Sequence, residues 1–343
     1  MPDTKSNSTV DPLFSGLFDP TITSIPQGVS QPEPDSIPNA VNMGAWKEEP
    51  RMPIATAEMG VIACDGKVHV IGGYARGKVN SDYHQVFDPV TGEWTLKAPI
   101  PYACNHLSMA VVGKRIYSFG GFIEQNRCPH SNCFVYDSDA DEWERIPNLL
   151  RPRGAISAVE LNGQIHLLGG RNVRSVDWHE IYDPETKQYQ LLNDMRGSTP
   201  TQPFAGQRCH MGAVVVNGKI HCIGGRKDSY DFNTGLHSVF DPESLTWSFR
   251  TEMPTIRSGH CVAYVNGKIL AFGGEARGLV FEANEAYDPE TDTWETVAPM
   301  PVPRHGLHGA TAAVLGNTVY VPGGAPITGG SVQGAYHDSF TFE

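Results

Sequence analysis

The chain has 343 residues, of which 40% are hydrophobic and 19% charged, so it is long and apolar enough to bury a sizeable core. This composition excludes a chain that is disordered throughout and a collagen-like chain. With 26 basic and 38 acidic side chains the formal net charge is -12, which argues against general attraction to nucleic acid or to an anionic membrane surface.

The first 43 residues differ in composition from the rest of the chain. Seven of the first 40 residues are proline, separated mainly by Ser, Thr and Asp, and this composition is typical of disordered segments. We therefore predict a disordered Pro-rich tail over residues 1–43. The chain begins without a basic stretch followed by an apolar one, and it has no run of about 18 apolar residues, so we expect a cytoplasmic location and no membrane partner.

From residue 44 onwards the sequence repeats. Diglycines that follow apolar runs recur at steps of 48, 49, 55, 49 and 50 residues, at Gly72-Gly73, Gly120-Gly121, Gly169-Gly170, Gly224-Gly225, Gly273-Gly274 and Gly323-Gly324. In five units an aromatic-Asp pair is followed six residues after the Asp by Trp or Tyr, as in Phe87-Asp88 and Trp94. Short strand-like runs after tight turns, without helical periodicity, predict an all-β propeller of six four-stranded blades.

The two ends of the repeated region complement each other. The sixth unit ends before the position where its Trp is expected, whereas Trp46 precedes Gly72 by 26 residues, the same interval as Trp94 to Gly120. We therefore expect residues 44–51 to form the outermost strand of the last blade, so that no sheet edge is left unpaired at the junction. The predicted propeller domain spans residues 44–343.

The diglycines, aromatic-Asp pairs and Trp residues resemble the kelch repeat, and the resemblance covers residues 46–343. It implies a six-bladed kelch-type propeller, a structure that most often binds other proteins. As a propeller without a second folded domain, the chain is also similar in architecture to kelch-type sugar-acid mutarotases. That likeness implies a small anionic or polyhydroxylated ligand, with non-redox isomerase, mutarotase or lyase-type chemistry.

The longer loops follow each diglycine and precede each innermost strand, so they lie at one end of the predicted propeller, where binding usually occurs. The segments that precede the innermost strands hold seven arginines and three acidic residues, which predicts a basic funnel that attracts a small anion or an acidic peptide. Alternatively, each arginine bonds loop carbonyls or bridges neighbouring blades. The candidate ligand-binding residues are Tyr74, Arg76, Phe122, Arg171, Arg208, Arg226, Arg257, Arg304 and His308.

Histidines concentrate in the same segments. His106 and His210 lie fourteen residues before a diglycine and His260 lies thirteen before, so three blades place a histidine at a similar level. Imidazole and carboxylate groups suit proton transfer, although each histidine also has a structural alternative. The candidate catalytic residues are His106, His210, His260, Glu58 and Glu275.

Seven scattered cysteines form a poor disulfide framework, which agrees with a reducing compartment. Cys104, Cys209 and Cys261 neighbour the histidines, but their spacing is not diagnostic of a metal site, so no metal or other cofactor is predicted.

A nine-residue insertion within 194–206 is a candidate lid or specificity loop. Three functions stay open: an axial small-ligand site with acid–base chemistry, a module that binds an acidic peptide or a partner's terminus, and a Cys/His metal enzyme.

Overall fold

A computed structural model describes residues 44–124, 127–192, 195, 206–307 and 312–342. The predicted tail over 1–43, most of the insertion within 194–206 and the candidate ligand-binding residue His308 lie outside these residues. Within the described residues, the regular structure is β-strand apart from two short 3₁₀ turns, Tyr230–Phe232 and Thr328–Gly330.

The strands form six four-stranded antiparallel sheets, which confirms the predicted six-bladed propeller. From the axis outwards, blades 1 to 3 consist of Gly60–Cys64, Lys67–Ile71, His84–Asp88 and Glu93–Lys97; of Ser108–Val112, Arg115–Phe119, Cys133–Asp137 and Glu142–Ile146; and of Ser157–Leu161, Gln164–Leu168, His179–Asp183 and Gln188–Leu191. Blades 4 and 5 consist of Gly212–Val216, Lys219–Ile223, His237–Asp241 and Thr246–Arg250, and of Cys261–Val265, Lys268–Phe272, Asn284–Asp288 and Thr293–Val297.

Blade 6 is built from both ends of the propeller sequence. Its strands, from the axis outwards, are Ala313–Leu315, Thr318–Pro322, His337–Thr341 and Ala45–Glu48. Trp46 is opposite Phe340, and the ring centroids of these two residues lie 5.0 Å apart. This pairing confirms the predicted closure of the ring.

Three blades add a two-stranded hairpin after the diglycine. The paired segments are Tyr74–Ala75 with Val79–Asn80, Phe122–Glu124 with Arg127–Pro129, and Glu275–Ala276 with Leu279–Val280. These hairpins belong to the end of the propeller that also contains the segments preceding the innermost strands. We call this end the loop face, and we call the opposite end, with the short turns, the turn face.

The repeated Asp and Trp residues have structural roles. The Asp183 carboxylate accepts hydrogen bonds from the backbone N–H groups of Glu185 and Thr186, at 2.9 and 3.0 Å, and so stabilises the turn before the outermost strand. Trp143 Nε1 donates to the carbonyl of Ala98 in the preceding segment at 2.9 Å. The most regular motifs of the sequence therefore hold the blades together.

Pairs of buried histidines lie between the second and third strands of blades 1, 3 and 4. In each pair, an Nδ1 atom lies 2.8 Å from an Nε2 atom: His69 with His84, His166 with His179, and His221 with His237. Blade 5 has Leu270 and Asn284 at the corresponding positions. Burial lowers the pKa of His221 from 6.5 to about 4 and, with the neighbouring His221, that of His237 to about 3.

The stability of the protein is expected to fall as the pH is lowered from about 6.5 to about 4, because the unfolded histidines take up protons that the buried ones do not. Replacing His221 with Leu and His237 with Asn copies blade 5 and should remove about two protons from the uptake on unfolding near pH 5. Urea unfolding at pH 7 and pH 4.5 measures this difference. An unchanged pH dependence in the double variant would contradict the neutral state of this pair.

Candidate functional site

A ring of backbone hydrogen bonds encircles the axis on the loop face. Each blade contributes one residue just before its innermost strand: Glu58, His106, Ala155, His210, Gly259 and Gly306. His106 N donates to Glu58 O at 2.8 Å, and Ala155 N donates to His106 O at 2.9 Å. The series continues in blades 4 and 5; in blade 6 the neighbouring Leu307 N donates to Gly259 O at 3.3 Å, and Glu58 N donates to Gly306 O at 2.9 Å. We call this arrangement the axial ring.

All six residues of the axial ring have a left-handed backbone, with φ between 51° and 72°. Four of them are not glycine, although non-glycine residues rarely adopt this conformation. Because such strain persists only where the surrounding structure determines it, the interblade hydrogen bonds account for the conformation of Glu58, His106 and His210. The ring thereby turns these three side chains towards one another.

Six buried side chains meet at the axis, and each contacts the next one around the cluster. This axial cluster consists of Glu58, His106, His210, Arg226, Glu275 and His305. Glu58 Oε2 lies 3.2 Å from His106 Nε2, and the rings of His106 and His210 have centroids 5.1 Å apart. Two of the five catalytic candidates, Glu58 and His106, are therefore in direct contact.

The remaining members close the cluster. Arg226 Nη2 donates to His210 Nε2 at 2.9 Å, and Arg226 Nη1 donates to Glu275 Oε1 at the same distance. His305 Nδ1 lies 3.1 Å from Glu275 Oε2 and 3.6 Å from Glu58 Oε1. Arg226 and Glu275 therefore form a buried ion pair at the axis, and His305 lies beside both carboxylates.

The hydrogen bonds around His106 place a proton between this residue and Glu58. Asn105 Nδ2 donates to Asn80 Oδ1 and to the carbonyl of Phe122, so Asn105 Oδ1 accepts from His106 Nδ1 at 2.5 Å. The other ring nitrogen of His106 faces the Glu58 carboxylate. His210 differs, because its Nε2 accepts from Arg226 and its Nδ1 donates to Cys209 Sγ at 3.0 Å.

Arg226 is the positive centre of the cluster. Burial opposes its charge, but the Glu275 carboxylate outweighs this effect and raises the pKa of Arg226 above its usual range. The guanidinium also lies 4.4 Å from the ring centroid of Tyr230. Arg226 is therefore fully charged and bonded on several sides by the protein itself.

Three of the arginines that we predicted to bind a ligand lie inside the blades instead. Arg208, Arg257 and Arg304 are 2%, 0% and 0% exposed, respectively. Arg208 donates to the carbonyls of Gly224 and Leu236, and Arg257 and Arg304 form ion pairs with Glu285 and Asp338. The expected basic funnel is therefore wrong for these residues, and the structural alternative describes them.

The other sequence-predicted site residues divide between the axis and the rim of the loop face. The rings of Tyr74 and Phe122 pack edge-on against His106, with centroid distances of 5.9 and 5.4 Å. Arg171 occupies the equivalent position of blade 3 and is half-buried, whereas Arg76 is exposed on the hairpin of blade 1.

His260 does not belong to the axial cluster. It lies one residue after the axial ring, where the other blades have apolar residues such as Met211, and it packs under Gly224: a Cβ on that glycine would lie 2.6 Å from the His260 ring. Conversely, His305 belongs to the cluster although it is not among the catalytic candidates. His305 lies one residue before the axial ring, at the position of Asn105 in blade 2 and Cys209 in blade 4.

The cysteines next to these histidines are buried thiols. Burial raises the pKa of Cys104 and Cys261 to about 12, and it also raises that of Cys209. Among the described residues, no group of three or more His, Cys, Asp or Glu side chains has an arrangement that could hold a metal ion.

Exposed apolar side chains surround the axial cluster. The loops that follow the diglycines in five of the six blades each present at least one: Val79, Ile123, Val173, Phe232, Ile327 and Val332. Val173 is 81% exposed and Phe232 is 63% exposed. The loop face thus combines a buried charged centre with an apolar periphery.

Comparisons with known proteins match residues 106–324 to the KLHDC2/KLHL20/DRC7 Kelch-repeats domain and residues 55–101 to the Kelch motif. The chain is 28% identical over 319 residues to the Kelch-like protein terF of Aspergillus terreus, across 87% of this chain and 65% of that protein. It is 29% identical over 265 residues to Kelch-like protein 23 of Homo sapiens, across 75% of this chain and 43% of that protein. The chain thus spans less than two thirds of the length of these relatives.

In the part of the chain that the structure describes, no helix has the length and apolar character needed to cross a membrane.

Proposed function

The chain belongs to the kelch-repeat family, and from this premise we propose that it is a protein-interaction module that binds its partner through the loop face. The observation that carries the proposal is the distribution of exposed apolar side chains. Of thirteen large hydrophobic residues that are exposed in the described part of the chain, nine belong to the loop face: Val79, Tyr83, Ile123, Leu150, Val173, Phe232, Ile256, Ile327 and Val332. Of the same thirteen, only Val90 and Leu245 belong to the turn face. Such concentration on one face is typical of a binding surface.

On the loops of blades 1 and 3 the charges beside the apolar residues favour an acidic partner. Arg76 and Lys78 precede Val79, and Arg171 and Arg174 lie on either side of Val173, on a chain whose net charge is -12. The apolar residues of blades 2 and 4 instead have an acidic neighbour, as in Asp231-Phe232. Acidic groups of a partner would find opposite charges at the rim and apolar contacts beside them. We therefore propose that the partner presents an acidic segment with apolar anchors.

The alternative proposal of a small anionic or sugar-like ligand has less support. Its catalytic candidates Glu58, His106, His210 and Glu275 are buried, and they bond one another or Arg226. A ligand that binds Arg226 or Glu275 at the axis would have to break the buried ion pair between them, at a cost in free energy. The thiols of a Cys/His metal enzyme would likewise need to lose protons that burial retains.

Two double variants test the proposal. Replacing Val173 and Phe232 with serine should weaken partner binding by about tenfold or more, because two exposed apolar anchors are lost. The matched control replaces Val90 and Leu245 of the turn face with serine. Quantitative mass spectrometry of proteins captured by the tagged wild type and by each variant compares their partners.

The proposal is wrong if the turn-face control loses the same partners as the loop-face variant, or if neither variant loses any. Differential scanning fluorimetry with sugar acids and other carboxylates examines the alternative. A rise of several degrees that disappears in Arg226→Ala and Arg171→Ala would support an axial small-ligand site instead.

A further inference from the structure

A turn of blade 6 lies directly against the axial cluster. In the 3₁₀ turn Thr328–Gly330, Gly329 N donates to Glu275 Oε2 at 3.2 Å. The preceding carbonyl, of Ile327, accepts from His305 Nε2 at 2.8 Å. We call residues 327–333 the cover turn, because its main chain satisfies two members of the cluster.

The cover turn also approaches blade 1. Gly330 has a left-handed backbone with φ of 63°, and a Cβ at this position would lie 3.4 Å from Glu58 Oε1 and 3.5 Å from the Tyr74 ring. These two distances are ordinary van der Waals contacts, and glycine adopts the left-handed backbone at little cost. One short turn thus contacts cluster residues that belong to blades 1, 5 and 6.

The attachment of the cover turn rests on few interactions. Gln333 Nε2 donates to Gly330 O at 2.6 Å and supports the turn from its own loop. Ile327 and Val332 are 53% and 45% exposed, so the apolar side chains of the turn face solvent rather than a core. A segment held by hydrogen bonds and little apolar contact can open locally at low free-energy cost.

We propose that the cover turn is a displaceable lid over the axial cluster, and that the cluster becomes accessible when this turn lifts while the six blades stay folded. The proposal goes beyond the binding function of the loop face, which requires no opening. In its closed position the cover turn excludes solvent from Glu58, Glu275 and His305, so the loop of blade 6 has a second role besides binding. Because Ile327 and Val332 also belong to the loop face, a partner that contacts them would act directly on the lid.

Chemical modification of histidine measures the opening. Diethyl pyrocarbonate labels accessible neutral imidazoles, and peptide mass spectrometry locates each label. Gln333→Ala removes the hydrogen bond that holds Gly330 O within the turn, so the turn should loosen from its closed conformation and the labelling rate of His305 should increase about fivefold. The matched control is Val332→Ser, which changes an exposed neighbour in the same loop. The buried pair of His166 and His179 serves as an internal reference for global unfolding.

Faster labelling of His305 in Gln333→Ala, at an unchanged rate for His166 and His179, supports the lid. The lid proposal is overturned if hydrogen exchange shows that residues 327–333 are loosened in Gln333→Ala but the labelling rate of His305 is unchanged. If exchange shows that the turn is not loosened, Gly330→Val takes the place of Gln333→Ala, because a β-branched residue is strained at the left-handed φ of Gly330 and should loosen the turn. Equal acceleration at all histidines would also overturn the proposal, since the turn would then open only with the whole propeller.

Discussion

Replacing Arg257 with alanine is expected to lower the free energy of unfolding by about 3–5 kcal/mol. The guanidinium of Arg257 is fully buried, lies 2.8 Å from Glu285 Oε2 and donates to the carbonyls of Ala271 and Ala283. Its removal leaves a buried carboxylate without its countercharge and takes one hydrogen-bond donor from each of these two carbonyls. Equilibrium unfolding in urea measures the loss.

Two further variants separate burial from charge. Arg277→Ala removes an exposed ion pair with Asp231, which should cost less than about 1 kcal/mol. Blade 2 has Cys104 and Phe134 at the positions of Arg257 and Glu285, so the fold accepts an apolar pair there. The double variant Arg257→Leu, Glu285→Phe should therefore be more stable than Arg257→Ala. If Arg257→Ala is as stable as Arg277→Ala, the structural role of the buried Arg257 is disproved.

Removal of residues 1–48 is expected to destabilise the propeller by about 4 kcal/mol or more, an effect comparable to loss of a packed aromatic side chain. This deletion takes away the outermost strand of blade 6 and with it Trp46, whose Nε1 donates to Ala298 O at 3.0 Å. It also leaves the edge of His337–Thr341 unpaired, and unpaired edges promote association between molecules. Thermal unfolding and size-exclusion chromatography report the two effects.

The control for this experiment removes only residues 1–43 and keeps the strand Ala45–Glu48. Its stability should equal that of the full chain, because the predicted disordered tail would contribute nothing to the folded state. If both deletions have the same effect, the strand pairing of Ala45–Glu48 does not hold the ring closed. A loss of stability already present after removal of residues 1–43 would instead contradict the prediction of a disordered tail.

The architecture could be predicted from sequence because its determinants are local and repeated. The diglycines recur at steps of 48 to 55 residues, and in five blades a Trp or Tyr of the outer strand follows the turn-forming Asp by six residues. The structure places these residues at equivalent positions of the blades. The closure of the ring could also be predicted, because Trp46 precedes the first diglycine by the same 26 residues that separate Trp94 from Gly120. Repetition supplies several independent observations of the same structural unit.

The site was harder to predict because its chemistry depends on side-chain direction rather than on spacing. The sequence predicted that Arg226 and Arg257 both line the axial funnel, yet Arg226 faces the axial cluster and Arg257 turns into its blade. The difference follows from their positions in the blade, because Arg226 directly follows a diglycine whereas Arg257 lies two residues before the axial ring. The arginines at that second position bond a side chain of the third strand of their own blade: Ser238 for Arg208, Glu285 for Arg257 and Asp338 for Arg304. His260 was misplaced because a shift of one residue after the axial ring changes the side on which a side chain lies.

The exchange of strands in blade 6 has a consequence for the order of the polypeptide. Because Ala45 is opposite Thr341 in one sheet, the two ends of the propeller sequence are neighbours in space. A short linker between them would leave every strand pairing intact, and new termini could then be opened in a turn such as Asn217-Gly218. The protein should accordingly tolerate circular permutation. A different blade would then be built from both ends of the chain, and the six-bladed arrangement would be kept.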